Sequence, residues 1–145
     1  MRKSFTTRAF GAALLALALT ACGPSEPKVE AEGAIVTLPA VPGHPGAGYF
    51  KLETNQEQTR LTAAASPKAG RIELHEPGMR RVESFAFSST EPLELKAGGR
   101  HAMIFGLDPS LQAGQRIPLT LTFEGAPPIT VEAEVRRPGD VHAGH

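Results

Sequence analysis

The chain has 145 residues, which is enough for one domain with a buried core. Three of its 15 basic residues precede Cys22 and none of its 15 acidic residues does, so the part from Cys22 onward carries an excess of negative charge. This balance excludes a nucleic-acid binder that relies on a basic face. Gly and Pro are frequent, aromatic residues are few and Trp is absent, which favours a small all-β domain with many turns.

Residues 1–22 have the pattern of an export signal. Arg2, Lys3 and Arg8 form a positive start, and the apolar run that follows is too short to indicate a membrane-spanning helix. The run ends in Leu-Thr-Ala-Cys22, which resembles the lipobox of bacterial lipoproteins, in which the Cys becomes the lipidated N-terminus. An ordinary secretory signal with a chance Cys is the alternative. Gly23 follows in place of Asp, which by resemblance to the sorting rule of enteric bacteria favours the outer membrane.

Cys22 is the only cysteine of the chain. No intramolecular disulfide can form, and no thiolate remains for a metal site if Cys22 is the lipid anchor. A site for a soft metal would therefore depend on Met and His side chains. This is reasonable chemistry in an oxidising periplasm, where thiols oxidise to disulfides and thioethers do not.

Residues 23–33 are polar and contain Pro, which predicts a flexible tether. Residues 34–136 contain short segments in which apolar and polar residues alternate, separated by turn residues, and residues 137–145 form a His-containing mobile tail. The alternation predicts about nine short strands and hence a β-sandwich or Greek-key barrel. The predicted strands are 34–38, 49–53, 60–65, 71–75, 79–87, 92–96, 100–107, 117–123 and 129–136.

Two imidazoles and two thioethers stand out in residues 71–107. His75 and Met79 flank a Glu-Pro-Gly turn, which places them at the tip of a predicted hairpin. His101 and Met103 are one residue apart on a predicted strand and therefore project from the same face. Any one of the four would more often be a core or surface residue, so the inference depends on all four together.

These residue types are the ligands that Cu(I) prefers, because it is a soft ion that accepts imidazole and thioether and needs no square geometry. Thioethers also discriminate against Zn²⁺ and Mg²⁺, which bind sulfur of this kind poorly. Neutral imidazole is required, so binding should weaken as the pH falls below about 6.5, the ordinary pKa of His. The sequence predicts a Cu(I) site at His75, Met79, His101 and Met103.

The flanking sequence resembles the periplasmic copper chaperone family PCu(A)C, whose signature is a His, a Met some ten residues later, a spacer of 21 residues and then His-x-Met. Here Arg80 to Arg100 form a spacer of that length between Met79 and His101. The resemblance covers about residues 34–135. The segments that carry the resemblance are AGYF at 47–50, GRIELHE at 70–76, LKAGGRH at 95–101 and GL at 106–107.

The resemblance implies a cupredoxin-like Greek-key β-sandwich and a copper chaperone of the cell envelope. It also implies delivery of Cu(I) to the CuA centre of cytochrome c oxidase, directly or with a Sco-type thiol protein. One departure is clear, because only three residues separate His75 from Met79, and a tighter tip can aim the two side chains differently. His101 and Met103 are therefore the firmer pair.

Alternative functions are a copper-buffering or resistance protein without a dedicated acceptor, and a metal-free structural protein of the envelope. A blue-copper redox protein would need a Cys thiolate in its site, which the lipobox position of Cys22 nearly excludes. His142 and His145 are a possible auxiliary site for Cu(II), although a solvated tail is the simpler interpretation. No nucleophile–base pair or acid–base dyad is evident, so no enzymatic activity is predicted.

Overall fold

The computed structural model describes residues 22–140, which form ten strands connected by turns and loops. The predicted signal, apart from Cys22, and the tail residues His142 and His145 lie outside the described part of the chain. Within 22–140, no helix has the length and hydropathy needed to cross a bilayer. The strands are β1 Val29–Thr37, β2 Gly46–Thr54, β3 Thr59–Ala65, β4 Arg71–Glu76, β5 Arg80–Val82, β6 Phe85–Phe87, β7 Leu93–Leu95, β8 His101–Phe105, β9 Arg116–Glu124 and β10 Ile129–Arg136.

The ten strands belong to one hydrogen-bonded sheet that curls into a nearly closed barrel. Their order is β5-β4-β8-β2-β1-β10-β9-β3-β6, and β7 pairs with the second half of β2 beyond β8. All pairings are antiparallel except that of β1 with β10. The all-β class predicted from the sequence is confirmed, and the expected cupredoxin-like Greek-key β-sandwich of about nine short strands is observed as ten strands in a nearly closed, barrel-like sheet.

The tenth strand arises because the predicted segment 79–87 is two strands. Its first part, β5, pairs with β4, whereas its second part, β6, pairs with β3. Glu83 and Ser84 lie between them, where the chain passes from one neighbour to the other. Val82 and Phe85 are three residues apart, so the alternation of apolar residues changes phase where the chain passes from β5 to β6, and the single predicted strand 79–87 is wrong.

The predicted tether extends too far, because β1 begins at Val29 and not at Ala34. Residues Val29–Glu32 pair with Lys51–Thr54 of β2, and Val29 is buried in the core. An irregularity between Glu32 and Ile35 shifts the register, and Gly33 adopts a positive φ of 60° there. The acidic residues and this bulge hide the alternation of apolar residues that would indicate a strand.

Aliphatic and aromatic side chains from nearly every strand fill the barrel. The interior residues of β9 alternate with outward polar ones, as the sequence pattern predicts. At about 25 cal/mol per Å² of apolar surface removed from water, this core is the main stabilising element of the fold. The large side chains with less than 2% exposure include Leu52, Leu61, Leu93, Ile104, Ile117, Leu119, Leu121, Val36 and Val135.

Candidate metal centre

The hairpin between β4 and β5 is tight. Glu76 pairs with Arg80, so only Pro77, Gly78 and Met79 form the loop. Pro fixes the first loop residue, and Gly78 adopts the positive φ of 81° that the second position of a type II turn requires. Met79 follows at φ 64°, the only non-glycine residue with a positive φ in the described part of the chain. Its side chain is 60% exposed.

β4 and β8 place the histidines opposite each other. His75 pairs with His101 in the ladder, and the ring centroids are 5.6 Å apart. Glu73 pairs with Met103 two residues along the same two strands. Directly paired residues project from the same face of a sheet, so these four side chains form a compact group. The period-two prediction for His101 and Met103 therefore describes their positions correctly.

An open cleft of about 410 Å³ lies over this group. Met79, His101 and Met103 all line it, whereas His75, which pairs with His101, is only 6% exposed and is not among the lining residues. Met103 is also largely buried, at 8% exposure, so packing against neighbouring atoms fixes the position of its thioether. The remaining lining residues come from the ends of β1 and β2, the loop between them, and the two turns: Thr37, Leu38, Pro39, Ala40, Pro45, Gly46, Ala47, Tyr49, Pro77, Gly78, Gly98 and Gly99.

Backbone carbonyls fix the orientation of both imidazoles. Nδ1 of His101 lies 3.0 Å from the carbonyl oxygen of Gly99, and Nδ1 of His75 lies 3.2 Å from that of Met79. A carbonyl oxygen only accepts hydrogen bonds, so in each ring Nδ1 is the donor. Metal-ligating histidines in proteins commonly donate their second N–H to a carbonyl or carboxylate in this way. For His101, this arrangement leaves the Nε2 lone pair for a metal.

Glu73 is the unexpected member of the group. Its place between the apolar residues Ile72 and Leu74 is typical of a solvated strand residue, but its side chain is only 16% exposed. Its Oε2 lies 3.1 Å from Nε2 of His75, and its Oε1 accepts from Nε of Arg71 at 3.0 Å. The hydrogen bond from His75 and, to a smaller extent, the one from Arg71 hold the pKa of Glu73 below its usual range. The group is therefore a carboxylate at neutral pH.

Tyr49 is a second residue that the sequence did not mark as part of the site. It follows Ala47 and Gly48 on β2 and lines the cleft beside Met103, with which Ala47 pairs. Burial raises the pKa of its phenol, against a smaller opposing effect of the hydrogen bond from Thr37. The phenol is therefore neutral at physiological pH. The period-two spacing from Ala47 would have placed Tyr49 on the same face.

The structure thus brings the four predicted residues together at one end of the barrel. His101 and Met103 come from a central strand, and His75 and Met79 from the adjoining hairpin. Cys22 is exposed and is not part of the site. Imidazole and thioether are ligands that a soft metal ion prefers, so this group of side chains is a candidate metal site.

The fold and the cluster together define a small all-β domain with a His/Met cleft at one end of its barrel. The chain belongs to the LpqE-like family, whose model, described as "Putative lipoprotein LpqE-like", matches residues 29–135. The match begins at the first residue of β1. No curated protein sequence matches the chain closely enough to be compared.

Solved structures of PCuAC domains share this fold. The copper-bound PCuAC domain from PmoF2 matches with a TM-score of 0.69 and 20% identity, over 77% of this chain and 94% of that one. The apo PCuAC domain from PmoF1 gives a TM-score of 0.68 and 20% identity, over 77% and 95%. CuI-DR1885 from Deinococcus radiodurans gives 0.64 and 27% identity, over 74% and 77%. The resemblance to the PCu(A)C family is confirmed.

Proposed function

We propose that this protein is a copper carrier of the cell envelope that binds Cu(I) through His75, Met79, His101 and Met103. The observation that carries the proposal is the facing pair of histidines, flanked by two thioethers at one open cleft. Two of the structurally similar proteins are described as copper-bound, and one of these as holding Cu(I). Met thioethers favour Cu(I) over the harder ions that are more abundant in the envelope.

The open side of the cleft supports transfer. Met79 is the most exposed of the four residues, and His101 is partly exposed, whereas His75 and Met103 are buried. An incoming ligand from an acceptor can therefore approach from the side of Met79 and His101 before the two buried residues release the ion. The chemistry is ligand exchange, in which no bond of the protein backbone or of a substrate is made or broken, so the proposed role is that of a carrier and not of an enzyme.

The acceptor that we propose is a copper site of the respiratory chain, namely the CuA centre of cytochrome c oxidase, reached directly or through a Sco-type thiol protein. Support comes from the resemblance to the PCu(A)C family. A transfer assay with a purified acceptor domain separates this role from copper buffering. A carrier loaded with Cu(I) should metallate the acceptor faster than a Cu(I) chelator of equal affinity does. A buffering protein should instead slow the metallation of the acceptor.

The proposed anchor is a lipid on Cys22, and the outer membrane is the proposed location. The family description and the exposed position of Cys22 support the anchor. In cells supplied with a labelled fatty acid, the wild-type protein should become labelled, whereas Cys22→Ser should not. A Cys22→Ser variant that still takes up the label would contradict lipidation at this residue.

The binding proposal is tested by titrating the domain with Cu(I) against a chromophoric chelator under reducing conditions. The wild-type protein should bind one equivalent, and His101→Ala or Met103→Leu should each remove tight binding with the β-sheet circular dichroism unchanged. Deleting residues 141–145 is the matched control and should leave Cu(I) binding intact. A wild-type protein that takes up no tightly held copper would overturn the proposal.

A further inference from the structure

Two unlike margins border the cleft. One is the loop 38–45 between β1 and β2, which contains no Asp, Glu, Lys or Arg, and none of the described residues that line the cleft is of these types either. The other is formed by β4 and β5, which carry Arg71, Arg80 and Arg81, together the arginine margin. Arg80 follows Met79 directly, and Arg81 pairs with His75 in the ladder. Positive charge therefore lies beside the cleft and not within it.

The guanidinium groups of the arginine margin reach solvent, whereas the neighbouring carboxylates are covered. The three arginine side chains are between 63% and 71% exposed, against 16% for Glu73 and 30% for Glu76. Both carboxylates are already engaged, Glu73 by Arg71 and Glu76 by Arg80. β5 is the outermost strand at one edge of the described sheet. A partner that approaches from this edge therefore meets positive charge first.

Exposed apolar side chains are concentrated at the same cleft. Val41 and Met79 are the two exposed large hydrophobic residues in the part of the chain that the structure describes. Met79 lines the cleft, and Val41 directly follows Ala40, which also lines it. Exposed apolar residues scattered singly over a surface need no explanation, but here both border one cleft. Met and Arg are also enriched in protein–protein interfaces.

We propose that the arginine margin, Val41 and Met79 form the docking surface for the copper acceptor, and that this acceptor is a protein with carboxylates beside its own copper ligands. The inference rests on the proposed function. Opposite charges raise the rate of encounter and orient the acceptor, which brings its ligands to the cleft. In the transfer, bonds from Cu(I) to this protein are replaced by bonds to the acceptor's ligands, and copper keeps its oxidation state.

An anionic lipid surface would also attract arginines that lie next to exposed apolar side chains. The position of the arginine margin favours a protein partner, because a membrane lying against β5 and the loop 38–45 would cover the cleft from which copper must leave. The two partners are distinguished by a vesicle experiment described below.

Two synthetic peptides test the charge of the partner. Both contain the same Cys-x-x-Cys sequence, which is flanked by glutamates in one peptide and by lysines in the other. When the peptide takes Cu(I) from the loaded protein, its thiol protons pass to the buffer as the bonds from copper to sulfur form. The rate is compared between protein variants for each peptide separately, so that the reactivity of the peptide itself cancels.

The double variant Arg80→Gln/Arg81→Gln should transfer Cu(I) to the acidic peptide about three- to tenfold more slowly than wild type at low salt, and should not slow transfer to the basic peptide. At about 0.5 M salt, where the screening length is about 4 Å, the variant should come within about twofold of wild type. Lys28→Gln/Arg60→Gln is the matched control, because it removes the same net charge from exposed positions that do not line the cleft. It should change neither rate by more than about twofold.

A wild-type rate to the acidic peptide in Arg80→Gln/Arg81→Gln at low salt would overturn the inference, and so would an equal loss in the control variant. The Cu(I) affinity of each variant is measured first. A loss of affinity in the arginine variant as large as its loss of rate would show that the arginines act on the metal site, which also overturns the inference. A wild-type protein that does not bind Cu(I) would instead refute the proposed function.

Vesicles separate the protein partner from the lipid surface. Non-lipidated wild-type protein should sediment no more with vesicles of phosphatidylglycerol than with vesicles of phosphatidylcholine. Binding to the phosphatidylglycerol vesicles that is lost in Arg80→Gln/Arg81→Gln but kept in Lys28→Gln/Arg60→Gln would assign the arginine margin to lipid headgroups and overturn the proposal.

Discussion

Met79 is held in a backbone conformation that suits glycine better than methionine. Its φ of 64° lies in the left-handed region, which costs a residue with a Cβ roughly 1–2 kcal/mol. The preceding Gly78 already supplies the positive φ that the turn needs. In this conformation Met79 presents its carbonyl to Nδ1 of His75 and its side chain to the cleft. Strain of this kind is typical of functional positions.

We predict that substitutions of Met79 change the stability of the fold and the affinity for Cu(I) independently of each other. The free energy of unfolding of Met79→Gly should be about 0.5–1 kcal/mol larger than that of Met79→Leu. This difference already includes the larger unfolded-state entropy of glycine, which acts against the glycine variant. Both variants lose the thioether, so both should bind Cu(I) more weakly than wild type. Urea unfolding and Cu(I) titration of the same samples measure the two effects. Equal stability of the two variants would show that the backbone at Met79 is not strained.

At the scale of elements, the segment before β1 is tied to the turn between β2 and β3. The side chain of Asn55 accepts from the N–H of Lys28 at 2.8 Å and donates to the carbonyl of Glu26 at 2.8 Å. The hydroxyl of Thr54 donates to the carbonyl of Lys28 at 2.9 Å. The free part of the predicted tether is therefore shorter than the sequence indicates.

Removal of this side chain should loosen the start of the domain. In Asn55→Ala, trypsin should cut after Lys28 several-fold faster than in wild type, because cleavage needs this backbone to open locally. Glu57→Ala, in the same turn, is the control and should cleave at the wild-type rate. The cleavage rate is read by mass spectrometry under native conditions. Equal rates in Asn55→Ala and wild type would show that the strand alone protects this bond.

Most strands could be predicted because each buries one face, which forces apolar residues to every second position. The hairpin of β9 and β10 is the clearest example. The start of β1 could not be predicted, because its bulge and acidic residues interrupt the alternation. The division of 79–87 into β5 and β6 is marked only by the change of phase between Val82 and Phe85, and the sequence does not show which distant strand each half meets.

The positions of the site residues could also be predicted only in part. Period two placed His101 and Met103 on one face, and the turn residues placed His75 and Met79 at a hairpin tip. Period two also places Glu73 on the face of His75, but it does not distinguish a carboxylate that contacts the imidazole from one that faces solvent. The register of β4 against β8 then sets Glu73 opposite Met103, within the cluster.

For the whole molecule, β1 runs from the side on which Cys22 lies in the chain to the cleft. It begins at Val29, a few residues after Cys22, and ends at Thr37, which lines the cleft. Nine residues of extended chain span roughly 25–30 Å. A lipid on Cys22 would thus place the membrane at one end of the barrel and the copper cleft at the other, where an acceptor can reach it.

The proposed copper site combines thioether and imidazole ligands. X-ray absorption spectroscopy of the Cu(I)-loaded protein tests it most directly, because sulfur and nitrogen neighbours scatter differently. We predict sulfur and nitrogen among the atoms that contact copper in the wild-type protein, and a smaller sulfur contribution in Met79→Leu. Contacts to nitrogen and oxygen alone, unchanged in Met79→Leu, would contradict a site built from thioethers and imidazoles.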